Sequence, residues 1–255
     1  MSQGEVDLSV IVPAFNEAER IGKTLTRLHE YLRQSPFSHE ILVVLDGSTD
    51  RSAEVVRQQA RHMPGLKIIE RGVNRGKGFT VREGMLQARG RIRLFTDADN
   101  STDIAHFEKM QPLFEQGFDV VIASRNALDV EGAEQAVAQA WYKRAIGRLG
   151  NRIVQQLAVP GIWDTQCGFK AFRDRAAVRI FSQVTIERWG FDIEVLALAL
   201  ALKLRVGIIP ARWINDDRSH VRPADYFNVL ADTIKVRLNL AAGKYALQRG
   251  SRIDH

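Results

Sequence analysis

The sequence predicts an α/β protein with a mostly parallel central sheet flanked by helices. In the first half, short runs that are apolar throughout alternate with segments of helical periodicity. Strands without polar alternation are those buried on both faces, as in parallel sheets. The charged and glycine-bearing clusters fall just after these runs. That is the carboxyl edge of the strands, where such sheets bind ligands.

Leu8–Val12 is the first apolar run and ends at Pro13. Glu17–Leu32 places Ile21, Leu25, Leu28 and Leu32 on one helical stripe. Glu40–Leu45 reads as a second strand, broken by Asp46-Gly47-Ser48, and Asp50 as the cap of a helix reaching about His62. Leu66–Ile69, Arg91–Thr96 and Val120–Ser124 continue the strands, with helices at Gly78–Ala88 and Ile104–Gln116 between them, the latter capped by Asp103.

The second half is less regular. Asn126–Ala140 reads as a loop and Trp141–Leu157 as a helix broken by Val159-Pro160-Gly161. Trp163–Phe172 contains a loop and a short strand, Gly190–Lys203 is a helix, and Val206–Ile214 is extended around Pro210. Tyr226–Leu247 reads as a long helix carrying Lys235, Arg237 and Lys244. With no clear linker, the expectation is a catalytic domain over 1–215 and a basic amphipathic helical extension over 216–255, packed on it.

Composition narrows the class. Apolar residues make up 45% and charged residues 26% of the 255 positions, ordinary for a globular chain. A single cysteine, Cys167, excludes an intrachain disulfide. The longest apolar run, Val195–Leu202, is far short of the ~20 residues that span a bilayer. A cytoplasmic location without a transmembrane segment is expected. From Lys203 to His255 ten Lys or Arg face five Asp, most of the chain's net charge of +6. A basic end suits an acidic partner. No stacking-aromatic platform accompanies it, so nucleic acid is not expected.

The sharpest chemical signal is Asp97-Ala98-Asp99. Two carboxylates at a strand end repel one another unless a cation joins them. A hard divalent ion with few protein ligands completes its shell with phosphate oxygens, so Mg²⁺ or Mn²⁺ on Asp97 and Asp99 is expected. Asn74-Arg75-Gly76-Lys77-Gly78 precedes a helix and has the makings of an anion site, though not the P-loop spacing. Asp46 lies at the same sheet edge.

Val10 to Glu17, Asp46 to Asp50, Asn74 to Gly78 and Asp97 to Asp99, in this order, resemble the family 2 glycosyltransferases, whose fold is the Rossmann-like GT-A fold. Asp164-Thr165-Gln166-Cys167-Gly168-Phe169-Lys170 and Arg188-Trp189-Gly190-Phe191-Asp192-Ile193-Glu194 resemble the polyprenyl-phosphate branch, the dolichyl-phosphate β-glucosyltransferase type. The resemblance implies that Pro13, Phe15 and Glu17 line a nucleoside pocket, that Asp46 holds the base, and that Lys77 sits near the diphosphate. It implies that Asp97, with Ala98, faces the ribose and the metal while Asp99 ligates it. Arg125 would approach the donor diphosphate or the acceptor phosphate, and Gln166 and Asp192 the transferred sugar. Ser101 stands where mannosyl relatives supply a third metal ligand. Arg218 and Arg222 flank His220, which stands where a lysine is common, and are the expected acceptor-phosphate grips.

The expected activity is inverting transfer of a sugar, glucose by resemblance, from a UDP-type donor to a polyprenyl phosphate. A lipid phosphate is mostly ionised near neutral pH and needs positioning more than a base. A hydroxyl acceptor would need one, and Asp192 is the candidate. A sugar-nucleotide-binding protein without catalysis is the other alternative. The stripe Phe227, Leu230, Ile234 and Leu238 has two readings: packing on the catalytic domain, or lying on an anionic membrane.

Overall fold

The computed structural model describes residues 6–135, 150–213 and 223–247; side chains are not described at 134–135, 213 and 223–226. The strands are β1 (Leu8–Ala14), β2 (His39–Asp46), β3 (Leu66–Arg71), β4 (Ile92–Thr96), β5 (Val120–Ser124), β6 (Glu134–Gln135), β7 (Phe169–Arg173), β8 (Val206–Pro210) and β9 (Arg212–Trp213). The helices are α1 (Ile21–Gln34), α2 (Ser52–Ala60), α3 (Lys77–Gln87), α4 (Phe107–Glu115), α6 (Asp174–Phe181), α7 (Phe191–Ala201) and α8 (Pro223–Ala241); α5 is described over 150–157.

Seven strands form the main sheet in the order β3-β2-β1-β4-β7-β5-β8. The pairs of β1 with β2 and β4, β2 with β3, and β5 with β8 are parallel. β7 runs antiparallel between β4 and β5, which the alternating pattern of the first half did not disclose. β6 and β9 form a separate parallel pair. Two apolar layers cover the sheet. One lies under α1, α2 and α4, with Leu25, Leu28, Val56, Phe107 and Met110. The other lies under α3, α6, α7 and α8, with Val81, Met85, Ile180, Phe191 and Val236. β1, β2 and β5 read as apolar throughout because both faces are buried.

Several boundaries differ from the sequence expectation. Pro13 lies inside β1, and α1 starts at Ile21 rather than Glu17. The cause is Asn16, which adopts φ +55° and accepts a hydrogen bond from Thr49 N at 2.8 Å, tying the loop after β1 to the loop after β2. Asp50 accepts from both Ser52 N and Ser52 Oγ, a local turn just before α2, and that helix ends at Ala60. Asp103 does cap: it accepts from Ala105 N at 2.9 Å ahead of a 3₁₀ turn leading into α4.

Helix α8 divides the expected stripe: Phe227, Ile234 and Leu238 are exposed, and Leu230 is partly buried. The opposite side of the helix, with Thr233 and Val236 fully buried, packs on the core. Beyond α8 the chain turns at Gly243, and the Tyr245 hydroxyl donates to Glu194 Oε1 of α7 at 2.7 Å. The helix therefore ends at Ala241 rather than running to Leu247.

Candidate active site

The carboxyl ends of β1, β2 and β4, with the start of α3, gather the acidic and basic loops. This is the point where strand order reverses, the usual ligand crevice of such sheets. The Lys77 ammonium at the first turn of α3 lies 2.6 Å from Asp97 Oδ1 just past β4. It also lies 5.4 Å from the Trp189 ring centroid. Burial alone would lower its pKa, but Asp97, Asp192 and Asp99 outweigh that and raise it. Three carboxylates therefore act on the one ammonium.

Asp99 keeps its side chain partly exposed; Oδ1 accepts from Ser101 N at 2.9 Å and Oδ2 lies 3.9 Å from Arg20. Ser101 thus contacts Asp99 through its backbone. Ala98 is buried, and its carbonyl accepts from Thr24 Oγ1 at 2.6 Å, fixing the turn between the two acids. Gly168 faces this turn. A Cβ there would stand 1.9 Å from Asp97 Oδ2, so only glycine leaves room for the carboxylate.

Asp46 is 2% exposed, and its two oxygens accept from the amides of Arg75 (2.9 Å) and Gly76 (2.7 Å). Gly76 has φ +103°, a conformation other residues rarely adopt. Asp46 therefore fastens the loop that presents Lys77, a role its place at a strand end did not reveal. Pro13 is buried, Phe15 is 42% exposed, and Glu17 pairs with Arg20 through two bonds of 2.7 Å.

Arg125, just after β5, is gripped by Asp164: its backbone N, Nε and Nη2 donate at 2.8, 2.7 and 2.8 Å. Burial opposes charge on both, yet the pairing dominates, raising the Arg125 pKa and lowering that of Asp164. Asp97 also acts on Arg125. Asp192, in the first turn of α7, is 2% exposed and accepts from Lys170 Nζ at 2.6 Å. Lys170, itself fully buried on β7, donates also to the Cys167 carbonyl at 2.6 Å. Burial raises the Asp192 pKa despite Lys170 and Lys77.

Asp164 and Lys170, the fasteners of Arg125 and Asp192, were visible in the sequence block Asp164–Lys170 but had no assigned role. Gln166 is exposed. Arg218 and Arg222 lie outside the described residues.

The arrangement can bind a diphosphate. Lys77 offers a cation held by carboxylates, Arg125 a planar donor, and Asp97 and Asp99 hard oxygens for a metal. Among the described residues no cluster of three His, Cys, Asp or Glu forms a closed cage. Two partly exposed carboxylates fit instead a Mg²⁺ or Mn²⁺ ion whose shell is completed by phosphate and water.

The model of the family described as Glycosyl transferase family 2 matches residues 9–181. The chain is 34% identical to the dolichyl-phosphate beta-glucosyltransferase of Dictyostelium discoideum, over 94% of this chain and 77% of that protein. It is 37% identical to the protein of the same name from Drosophila melanogaster, over 86% and 70%. Its fold resembles the crystal structure of glucosyl-3-phosphoglycerate synthase from Mycobacterium tuberculosis in complex with Mn²⁺, UDP-glucose and phosphoglyceric acid. The TM-score is 0.63 at 17% identity, covering 93% of this chain and 80% of that one.

Proposed function

Since the chain belongs to glycosyl transferase family 2, we propose that it transfers glucose from UDP-glucose to a polyprenyl phosphate, inverting the anomeric carbon. The observation that carries this reading is the identity of 32–37% to dolichyl-phosphate glucosyltransferases across most of both chains. The GT-A fold and the Lys77–Asp97–Arg125 cluster support it.

The nucleoside is held between Pro13, Phe15 and Glu17 on one side and the Asp46-fastened loop on the other. Asp97 and Asp99 would hold a divalent ion, and that ion would neutralise charge on the leaving diphosphate. Lys77 moves from a carboxylate to the diphosphate oxygens and stabilises the charge that develops as the glycosidic bond breaks. Arg125, kept rigid by Asp164, orients a phosphate bidentately. Gln166 lies at the sugar. The acceptor phosphate is its own nucleophile, so Asp192 positions rather than deprotonates: it is buried and paired with Lys170. Arg218 and Arg222 remain the proposed acceptor grips. A membrane-borne acceptor makes the protein a peripheral visitor to the cytoplasmic bilayer face. No helix among the described residues is long and apolar enough to cross it.

The test is a donor screen of several sugar nucleotides against a polyprenyl phosphate, with Mg²⁺, with Mn²⁺ and with chelator. UDP-glucose turnover that needs the metal and is abolished by Asp99→Ala is expected. Transfer to soluble hydroxyl acceptors alone, or donor binding without turnover, refutes the reading.

A further inference from the structure

Helix α8 has two apolar faces. The inner one, with Val229, Thr233, Val236 and Leu240, packs on the core. On the outer one, Phe227 is 76%, Ile234 46% and Leu238 62% exposed, and Ala231 and Ala241 are exposed on the same side. At 3.6 residues per turn these five fall within an arc of about 80° running about 21 Å along the helix. Exposed apolar surface rimmed by polar groups marks an interaction site. Lys235 borders one edge, Arg237 the other, and Lys244 follows the C-terminal end, all exposed. Among the described side chains of α8 the acidic one, Asp232, turns inward: a Cβ on Gly190 would lie 2.4 Å from its Oδ2. Gly190 immediately precedes α7, so α8 abuts the segment that carries Asp192.

Resting on the polyprenyl-phosphate reading above, we propose that this stripe seats α8 in the headgroup layer of an anionic bilayer, with Phe227, Ile234 and Leu238 inserted and Lys235, Arg237 and Lys244 on lipid phosphates. An apolar stripe with basic edges is the form of an interfacial helix. A second copy of the chain fits less well. The stripe offers on the order of 400 Å², about half of the roughly 800 Å² per partner that a stable dimer buries. Its basic edges would also face one another across a twofold axis. Docked this way, the bilayer meets the same helix pair that borders the active site, and the acceptor phosphate arrives from the surface on which the enzyme lies.

The test is co-sedimentation of the full chain with vesicles of phosphatidylcholine alone and of phosphatidylcholine mixed equally with phosphatidylglycerol. Neither contains acceptor lipid. Binding to the mixed vesicles, weakened by salt, is expected, and Phe227→Ser/Leu238→Ser is expected to reduce it at least tenfold with an unchanged melting temperature. Lys235→Gln/Arg237→Gln is expected to weaken it at low salt only. Glucose transfer to a short-chain, water-soluble polyprenyl phosphate is expected to be the same in all variants. Equal vesicle binding by parent and stripe variant, or a dimer that the stripe variant abolishes, overturns the proposal. Either leaves the transferase reading intact if the short-chain acceptor still turns over.

Discussion

The Lys77 ammonium and the Asp97 carboxylate, 2.6 Å apart, come from the start of α3 and the end of β4. Their contact joins the proposed phosphate-binding loop to the proposed metal site. On the proposed reading, the Lys77 ammonium would compete for Asp97 with a divalent ion and would be released once a diphosphate offered oxygens to both. Lys77→Gln is therefore expected to lower kcat/KM for UDP-glucose by about 10²–10³, the usual loss on removing one donor to developing charge. The same substitution should tighten Mn²⁺ binding to the nucleotide-free protein, read from the electron paramagnetic resonance of unbound Mn²⁺. Unchanged or weaker Mn²⁺ binding would show that Lys77 does not compete for Asp97.

Gly168 sets the position of that carboxylate from the opposite side. Because a Cβ there would come within 1.9 Å of Asp97 Oδ2 and 2.4 Å of its Cγ, Gly168→Ala must push the Asp97 side chain aside. The fold has no other reason to fail, since the clash falls on a partly exposed side chain. The variant is expected to melt within a few degrees of the parent and to lose at least tenfold in Mn²⁺-dependent UDP binding, measured by calorimetry. Parent-like binding would mean that Asp97 does not need its present place.

These relationships show what the sequence could and could not disclose. Strands β1 to β5 were legible because each apolar run is closed by proline, glycine or a charge, and strand-end loops mark a ligand edge wherever the sheet is parallel. Strand β7 was not placed, because its partners on β4 and β5 lie far away in the chain and pairing is not a local property. Asp46 was legible as a strand-end carboxylate, but that its oxygens accept from amides some 30 residues on is something no spacing rule reveals. In α8 the periodicity of Phe227, Ile234 and Leu238 was real. Periodicity defines a face without saying which of two apolar faces meets the core.

Asp192 offers a test of the acceptor. A phosphate acceptor loses activity as its dianion takes up a proton, with a pKa of about 6. Asp192 is held at a raised pKa by burial, but it is paired with Lys170 and remote from solvent. In the pH–rate profile of the parent an acid limb near the acceptor's pKa is expected, and Asp192→Asn should lower kcat without moving that limb. A limb that shifts or vanishes in Asp192→Asn would instead assign the proton to Asp192, and with it a hydroxyl acceptor.

The Arg125–Asp164 pair ties stability to acid pH. Burial opposes the Asp164 carboxylate, yet Arg125 lowers its folded pKa below the unfolded value of about 3.9. The sign follows directly: below both values the folded and unfolded states are equally protonated at this group, and above the unfolded pKa the folded state gains. The stabilisation is thus present from about pH 4 upward and is lost as pH falls through the folded pKa. Asp164→Asn removes that component and leaves the Arg125 guanidinium without its counter-charge. Breaking such a pair costs about 3 kcal/mol at neutral pH, the lower end for buried pairs because Arg125 is 23% exposed. Urea unfolding at pH 7 and at pH 3 is the measurement. The parent should lose more stability between the two than Asp164→Asn does, so the difference between them narrows in acid. A difference that stays constant with pH would mean that Asp164 acts through packing and hydrogen bonds rather than through its charge.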